Sequence, residues 1–208
     1  MPAHRSPKNG LAAMDKAPRS LDELNRLIDA APPMVGGGTR AVLGEGPVGA
    51  AIALVGEQPG DQEDLQGRPF VGPAGQVFDR ALAEAGIDRG KTYVTNAVKH
   101  FKYVQRGKRR LHQRPTAGEV KHYRWWLKAE LDLVGPRVVV ALGATAVLAL
   151  AGRSLPIGAN RGETSFDNRR GYITVHPSYL LRLPDEAEKA RAYAAFRDDL
   201  VRIRDMAA

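Results

Sequence analysis

Four short stretches of the 208-residue chain carry the side chains from which a reaction could be assembled. Gly56, Glu57, Gln58, Pro59 and Gly60 follow an apolar run from Ala51 to Val55. Asn96 sits inside TYVTNAV, His112 ends KRRLH, and His176 opens HPSYLLR. A carboxylate, an amide and two imidazoles are the groups on which proton transfer, nucleophilic attack and hydrogen-bonded recognition draw. Most have an ordinary reading beside the functional one. An asparagine at a strand end is as often a turn former as a ligand, and an isolated histidine in a basic segment is more often a surface residue than a catalyst. Gln62, Glu63 and Asp64 read equally as a solvated loop. Glu57 stands apart, because it occupies a tight turn just past a strand, where open α/β sheets bind their ligands.

The elements that must position these residues follow from periodicity and end signals. Ala51 to Val55 is short, apolar and bounded by glycine, as a buried parallel strand is. Ser20 and Glu23 form a capping-box pattern that opens a helix from Leu21 to about Asp29, stopped by Pro32 and Pro33. Gly36, Gly37 and Gly38 read as linker, since no Lys-Ser/Thr follows to make a phosphate loop. Pro73 starts a helix that Gly86 ends, and Thr92 to Val98 is a second strand. Thr116 and Glu119 open a helix to about Leu133 carrying Trp125 and Trp126 as packing residues. Strand Arg137 to Leu142, helix Ala144 to Ala151, an edge strand near Thr164, strand Tyr172 to Val175 and a helix from Glu186 to about Arg204 complete the order. The expectation is one domain over residues 20–208, a three-layer α/β/α fold around a central four-stranded, mainly parallel sheet. Its polar turns at Glu57, Asn96 and His176 fall on one edge.

Composition narrows the partners. The formal charge is +8 with a pI near 9.9, which points to a polyanion, with nucleic acid ahead of an anionic membrane because no long apolar or amphipathic segment is present. An incidentally basic protein is the plain alternative. Residues 1–19 read as a flexible basic tail, broken by Pro2, Pro7, Gly10 and Pro18. Lys99 to Arg114 holds seven Lys or Arg and no acidic residue. Interleaved with Phe101 and Tyr103, it reads as a surface loop suited to single-stranded nucleic acid. The chain has no cysteine, which excludes disulfides and thiolate-held metals. His100, His112 and His122 are too irregularly spaced for a metal set. MPAHRSPKNG has no apolar core of a secretory signal, and a cytoplasmic, nucleoid-associated monomer is the simplest expectation.

The segments GEQPGDQEDLQGRPFVGPAG, TNAVKH, KRRLH and HPSYLLR, in that order and spacing, resemble the uracil-DNA glycosylase superfamily over roughly residues 20–204. The first and last are similar to family-four, iron-sulfur type enzymes. KRRLH resembles the X-type subgroup, which becomes covalently joined to the DNA it acts on.

The resemblance implies a role for each turn. Phe70 stacks on a uracil swung out of the helix. Asn96 reads its edge, accepting from N3–H and donating to O4, a pattern cytosine lacks. His176 donates to O2 as the base departs, within a frame that includes Gly56, Gly60 and Asp61. Glu57 stabilises the positive sugar carbon, as carboxylates do in glycoside hydrolysis. His112 attacks that carbon, an imidazole of reference pKa about 6.5 being largely neutral at pH 7, and Gln58 positions Glu57 or His112. DNA contacts fall to Lys99, Lys102, Lys108, Arg109, Arg110, Ser178, Leu181 and Arg182, the last two joining Leu180 in a wedge that fills the vacated stack. The implied activity is uracil excision ending in a histidine adduct, against two alternatives: turnover by water, or a non-catalytic binder of uracil-containing or single-stranded DNA. One departure is plain. The positions matching cluster ligands hold Asp29, Pro32, His100 and Tyr123, so no iron-sulfur cluster is expected.

Overall fold

Along strand β1, Ile52–Gly56, alternate side chains point to opposite faces. Ala53 and Val55 enter one apolar core, and Ile52 and Leu54 enter another. That two-sided burial fixes the architecture, because a strand buried on both faces needs a helical layer on each. A computed structural model describes residues 17–208 of the chain. Residues 1–16 of the expected tail lie outside the described residues, and Pro18, near its end, is buried.

The remaining elements are helices α1 (Leu21–Ala30), α2 (Asp61–Gln66) and α3 (Pro73–Glu84), strands β2 (Tyr93–Asn96), β3 (Tyr103–Arg106) and β4 (Arg109–His112), and helix α4 (Ala117–Val134). After these come β5 (Val138–Leu142), α5 (Ala144–Ala151), α6 (Ile157–Asn160), β6 (Gly162–Phe166), β7 (Arg169–Thr174), α7 (Pro177–Arg182) and α8 (Glu186–Ala207). The sheet order is β2-β1-β5-β7-β6. The first four strands run parallel, and β6 closes one edge antiparallel to β7. The expected edge strand therefore makes the sheet five-stranded rather than four-stranded. Helices α4 and α5 cover one face through Tyr123, Leu127, Leu131 and Val147. Helices α3 and α8 cover the other through Phe78, Leu82, Phe196 and Leu200.

Because β1 has β2 on one side and β5 on the other, the chain leaves β1 in one direction and returns in the other. The crevice at the carboxyl ends of β1 and β5 is the switch point where such sheets bind ligands.

Helix ends follow their signals unevenly. Thr116 and Glu119 make the full reciprocal box. Ser20 accepts from the Glu23 amide, but the Glu23 carboxylate reaches the Arg19 amide instead of completing the box. Residues 36–38 are not a free linker. The Gly36 carbonyl accepts from the Tyr103 amide, and the flanking Val35 is buried. Trp126 packs between the main core and α1, whereas Trp125 is 40% exposed.

The basic segment departs most from expectation. Residues 103–112 form a hairpin of β3 and β4, in register Tyr103↔His112 and Val104↔Leu111. Its two-residue turn places Gly107 at φ 58, the backbone region that primed hairpin turns require and glycine adopts without strain. Phe101 is buried, and the Tyr103 ring lies 5.1 Å beneath the Arg110 guanidinium, so these aromatics are not an open stacking surface.

Lys99 is no surface cation. It is fully buried, its Nζ donating to Thr95 Oγ1 at 2.7 Å, the Asn96 carbonyl at 2.9 Å and Glu130 Oε2 at 2.5 Å. Tyr93 and Thr95 hydroxyls also donate to Glu130. A cation enters a core when an anion and polar neighbours satisfy it fully, and density of charge along the sequence does not reveal that partner. Removing one member strands the other: Lys99→Met should cost about 3–5 kcal/mol of stability. Lys99→Met combined with Glu130→Leu should recover most of that loss in urea denaturation.

Candidate active site

The carboxyl ends of β1, β2, β5 and β7 open into a cleft of 950 Å³ whose walls include Glu57, Gln58, Phe70, Asn96, His112 and His176. All the principal residues singled out from the sequence are therefore brought together, from positions up to 119 residues apart.

Glu57 follows β1. Thr145, near the start of α5, donates its hydroxyl to Glu57 Oε2, and His112 Nε2 lies 3.2 Å from Oε1. Arg114 stands farther off, at 3.9 Å. Burial alone would raise the Glu57 pKa, but the hydrogen bonds from His112 and Thr145, with the positive potential of His112 and His176, outweigh it and hold the carboxyl below its usual value. The group is an anion at neutral pH.

Asn96 ends β2, 2% exposed, and its amide makes no hydrogen bond to the protein among the described residues, leaving donor and acceptor free for a ligand. Gly56 is the reason it fits. A Cβ there would lie 2.4 Å from Asn96 Oδ1 and 2.6 Å from Phe70 Cζ.

His176 caps α7. Ser178 donates its backbone N–H to Nδ1 at 3.2 Å, and its Oγ lies 2.9 Å from the same nitrogen. Arg182 in turn donates to that Oγ at 2.9 Å. With Nδ1 an acceptor, the ring proton belongs on Nε2. Burial lowers the His176 pKa to about 4 despite the opposing pull of Glu57, so the ring is a neutral donor.

Phe70 supplies an aromatic wall, its ring centroid 5.7 Å from that of His176. Its φ is 54, a strained value outside glycine costing on the order of 1–3 kcal/mol. Arg89 secures the turn, donating to the Phe70 carbonyl at 3.2 Å and the Pro69 carbonyl at 2.8 Å, and is itself paired with Asp79. Glu63 binds the two halves of the motif together. Oε2 accepts from the Gly60 amide at 3.0 Å, and Oε1 accepts from those of Val71 and Gly72 at 3.1 and 2.8 Å. The stretch that reads equally well as a solvated loop is thus helix α2, with Glu63 and Asp64 buried.

The hairpin reaches the cleft through three polar ties. Gln58 donates to the carbonyls of Lys102 and Gln113 and accepts from the Lys102 amide, each at 3.2 Å, clasping both strands at their base. Arg110 is spent internally, on Asp61 and Asp64. Asp61 is therefore the partner of Arg110 and does not line the cleft, while Lys102 pairs with Glu119. Lys108, Arg109 and Leu181 are exposed, whereas Leu180, expected in the wedge, is buried in the core with Phe78 and Phe196.

The family model described as the uracil DNA glycosylase superfamily matches residues 43–200. The chain belongs to that superfamily. It is 36% identical over 167 residues to the Type-4 uracil-DNA glycosylase of Thermotoga maritima, an alignment covering 74% of this chain and 83% of the relative. To the Type-4 uracil-DNA glycosylase of Pyrobaculum aerophilum it is 36% identical over 153 residues, covering 69% and 74%. A Type-5 uracil-DNA glycosylase of the same organism is 31% identical over 153 residues, covering 65% and 64%.

In this member of the superfamily the positions resembling cluster ligands do not suit one. Tyr123 is fully buried, accepting from the Met34 amide at 3.0 Å and lying 2.8 Å from His100 Nδ1. Burial raises the Tyr123 pKa to about 12 and lowers that of His100, so the phenol donates to a neutral imidazole. Phenol, imidazole, Pro32 and exposed Asp29 offer no thiolate. Among the described residues no three His, Asp or Glu side chains are gathered to hold a metal ion, and no helix is long and apolar enough to cross a membrane.

Thr145, Glu63 and Arg89 escape a reading of the sequence. Thr145 has a signal, being the one polar residue of the helix ATAVLALA, and Glu63 sits at the third position of a helix capped by Gly60. Arg89 has none.

Two outcomes follow. In NMR titration His176 should remain the neutral Nε2–H tautomer down to about pH 4. Its folded pKa lies below the unfolded value near 6.5, so its contribution to stability is full above 6.5 and lost as pH falls toward 4. His176→Gln should lose that part of the pH dependence. Gln58→Ala should speed amide exchange by at least tenfold in residues 103–112 while leaving β1 and β5 protected, since the side chain makes three hydrogen bonds to the hairpin base and each contributes about 1 kcal/mol.

Proposed function

We propose that the chain excises uracil from DNA and that His112 then bonds to the vacated sugar carbon, leaving protein and DNA covalently joined. The family and the names of the relatives support the excision. The proximity of His112 Nε2 to Glu57 Oε1, 3.2 Å inside the cleft that also holds Asn96 and His176, carries the second step.

A uracil extruded into the cleft stacks on Phe70 and meets the free amide of Asn96, whose oxygen accepts from N3–H and whose nitrogen donates to O4. His176 Nε2–H donates to O2, where negative charge builds as the bond from C1′ to N1 breaks and its electron pair leaves with the base. The neutral ring suits that task, because its preorganised dipole needs no proton transfer to stabilise the anion. The sugar is left with oxocarbenium character, and the Glu57 carboxylate stabilises it. At 4 Å and an effective dielectric near 20 such a pair is worth about 4 kcal/mol, roughly a thousandfold in rate. A lone pair of the His112 ring then forms a nitrogen–C1′ bond. The ring sheds its proton to solvent, the product is a neutral glycosyl-imidazole, and the departed uracil anion takes a proton from water. With Glu57 held ionised, no general acid among the described residues of the cleft is poised to protonate and expel that imidazole, so the reaction ends there.

Lys108, Arg109 and Arg182 are the phosphate contacts of this reading, with Ser178 relaying Arg182 to His176 and Leu181 as the wedge. The chemistry runs without a cluster and in a monomer.

The test is a labelled uracil oligonucleotide run on a denaturing gel. A band at the combined mass of protein and DNA is expected. Strand breakage after alkali with no such band would mean that water attacks, and neither would mean a binder. His112→Ala should abolish the retarded band, and His176→Ala should slow base release by about 10²–10³, as for loss of one oxyanion donor.

A further inference from the structure

Hairpin residues paired across the strands share a face. Tyr103, His112, Gln105 and Arg110 form the inner one, turned to the cleft and α2. The outer face carries Val104 opposite Leu111 and Arg106 opposite Arg109. Val104 is 54% exposed and Leu111 38%. Both arginines are exposed, and no carboxylate pairs with them among the described residues. The inner-face cation, Arg110, is by contrast neutralised twice.

We propose that this outer face is a second docking surface for the polynucleotide flanking the extruded nucleotide, distinct from the uracil cleft. Arg106 joins Arg109, already a phosphate contact in the proposed excision, in taking its phosphates, and the Val104–Leu111 pair packs against the apolar face of a deoxyribose or base. The inference rests on the reading of the chain as a DNA-acting protein, and it extends that reading from the cleft to the opposite side of the ribbon.

Three observations select a nucleic acid as the occupant. The face pairs two unneutralised cations with two apolar side chains and has no anion, which complements a strand that is anionic along its backbone and apolar on its rings. Its strands are four residues long, too small for the roughly 800 Å² per partner of a stable protein interface. Finally, it is continuous with the cleft, since Leu111 directly precedes His112.

The test is read on uracil-free DNA, so a failure of the excision chemistry does not alter it. Affinity is measured for a trinucleotide, a 15-nucleotide single strand and a 15-base-pair duplex over a range of salt. Arg106→Gln should lower the log–log salt slope by about 0.7 on the single strand or about 0.9 on the duplex. Val104→Thr with Leu111→Thr should weaken the longer ligands about tenfold with the salt slope unchanged, because no phosphate contact is lost. A larger loss on the single strand assigns the face to the uracil-bearing strand, and a larger loss on the duplex assigns it to the complement. Unchanged affinity and slope on both longer ligands, in variants that melt as the parent does, would overturn the proposal.

Discussion

The carboxylate of Glu57 is shared between two groups that the chain brings from opposite directions, Thr145 from the helix after β5 and His112 from the hairpin after β2. A partly buried anion is stabilised by the donors around it. Each neighbour therefore lowers the cost of holding the acid in the switch-point crevice. The remaining geometry serves that arrangement. The parallel sheet delivers the ends of β1 and β5 side by side, and the polar ties at Gln58 and Arg110 deliver the imidazole.

The cleft also shows how neutral and charged groups divide the work. Glu57 remains ionised because the hydrogen bonds from His112 and Thr145 outweigh its burial, while His176 remains neutral because burial disfavours its charged form and the Ser178 amide already donates to Nδ1. Carboxylate and neutral donor thus sit in one crevice without neutralising each other. Asn96 and Phe70 are held as firmly. The backbone of Asn96 is anchored by Lys99 from below, and the strained turn of Phe70 is secured by Arg89 and Glu63.

Much of this was legible in the sequence because strand ends, caps and apolar runs are local signals. The βα order, the edge strand near Thr164 and the meeting of Glu57, Asn96 and His176 at one edge follow from them. Polar residues whose partners are remote could not be read in the same way. Lys99 and Arg110 look like surface cations until Glu130, Asp61 and Asp64 are seen beside them. Glu63 looks like a solvated charge until it is found accepting three backbone amides. The hairpin was hidden for a related reason. Its alternation of Val104 and Leu111 with cations resembles a disordered basic run, and only the turn glycine at 107 distinguishes the two.

The hairpin contributes no strand to the central sheet. It is tethered at its base by Gln58 and at its flank by Arg110, through contacts that are polar and partly wet. Such an arm can detach as a unit while both cores stay closed, because local opening draws on fewer interactions than global melting. The reach of the imidazole and the heat resistance of the domain are therefore separately adjustable. Two relatives with the same melting temperature can differ widely in how long that ring dwells against the acid.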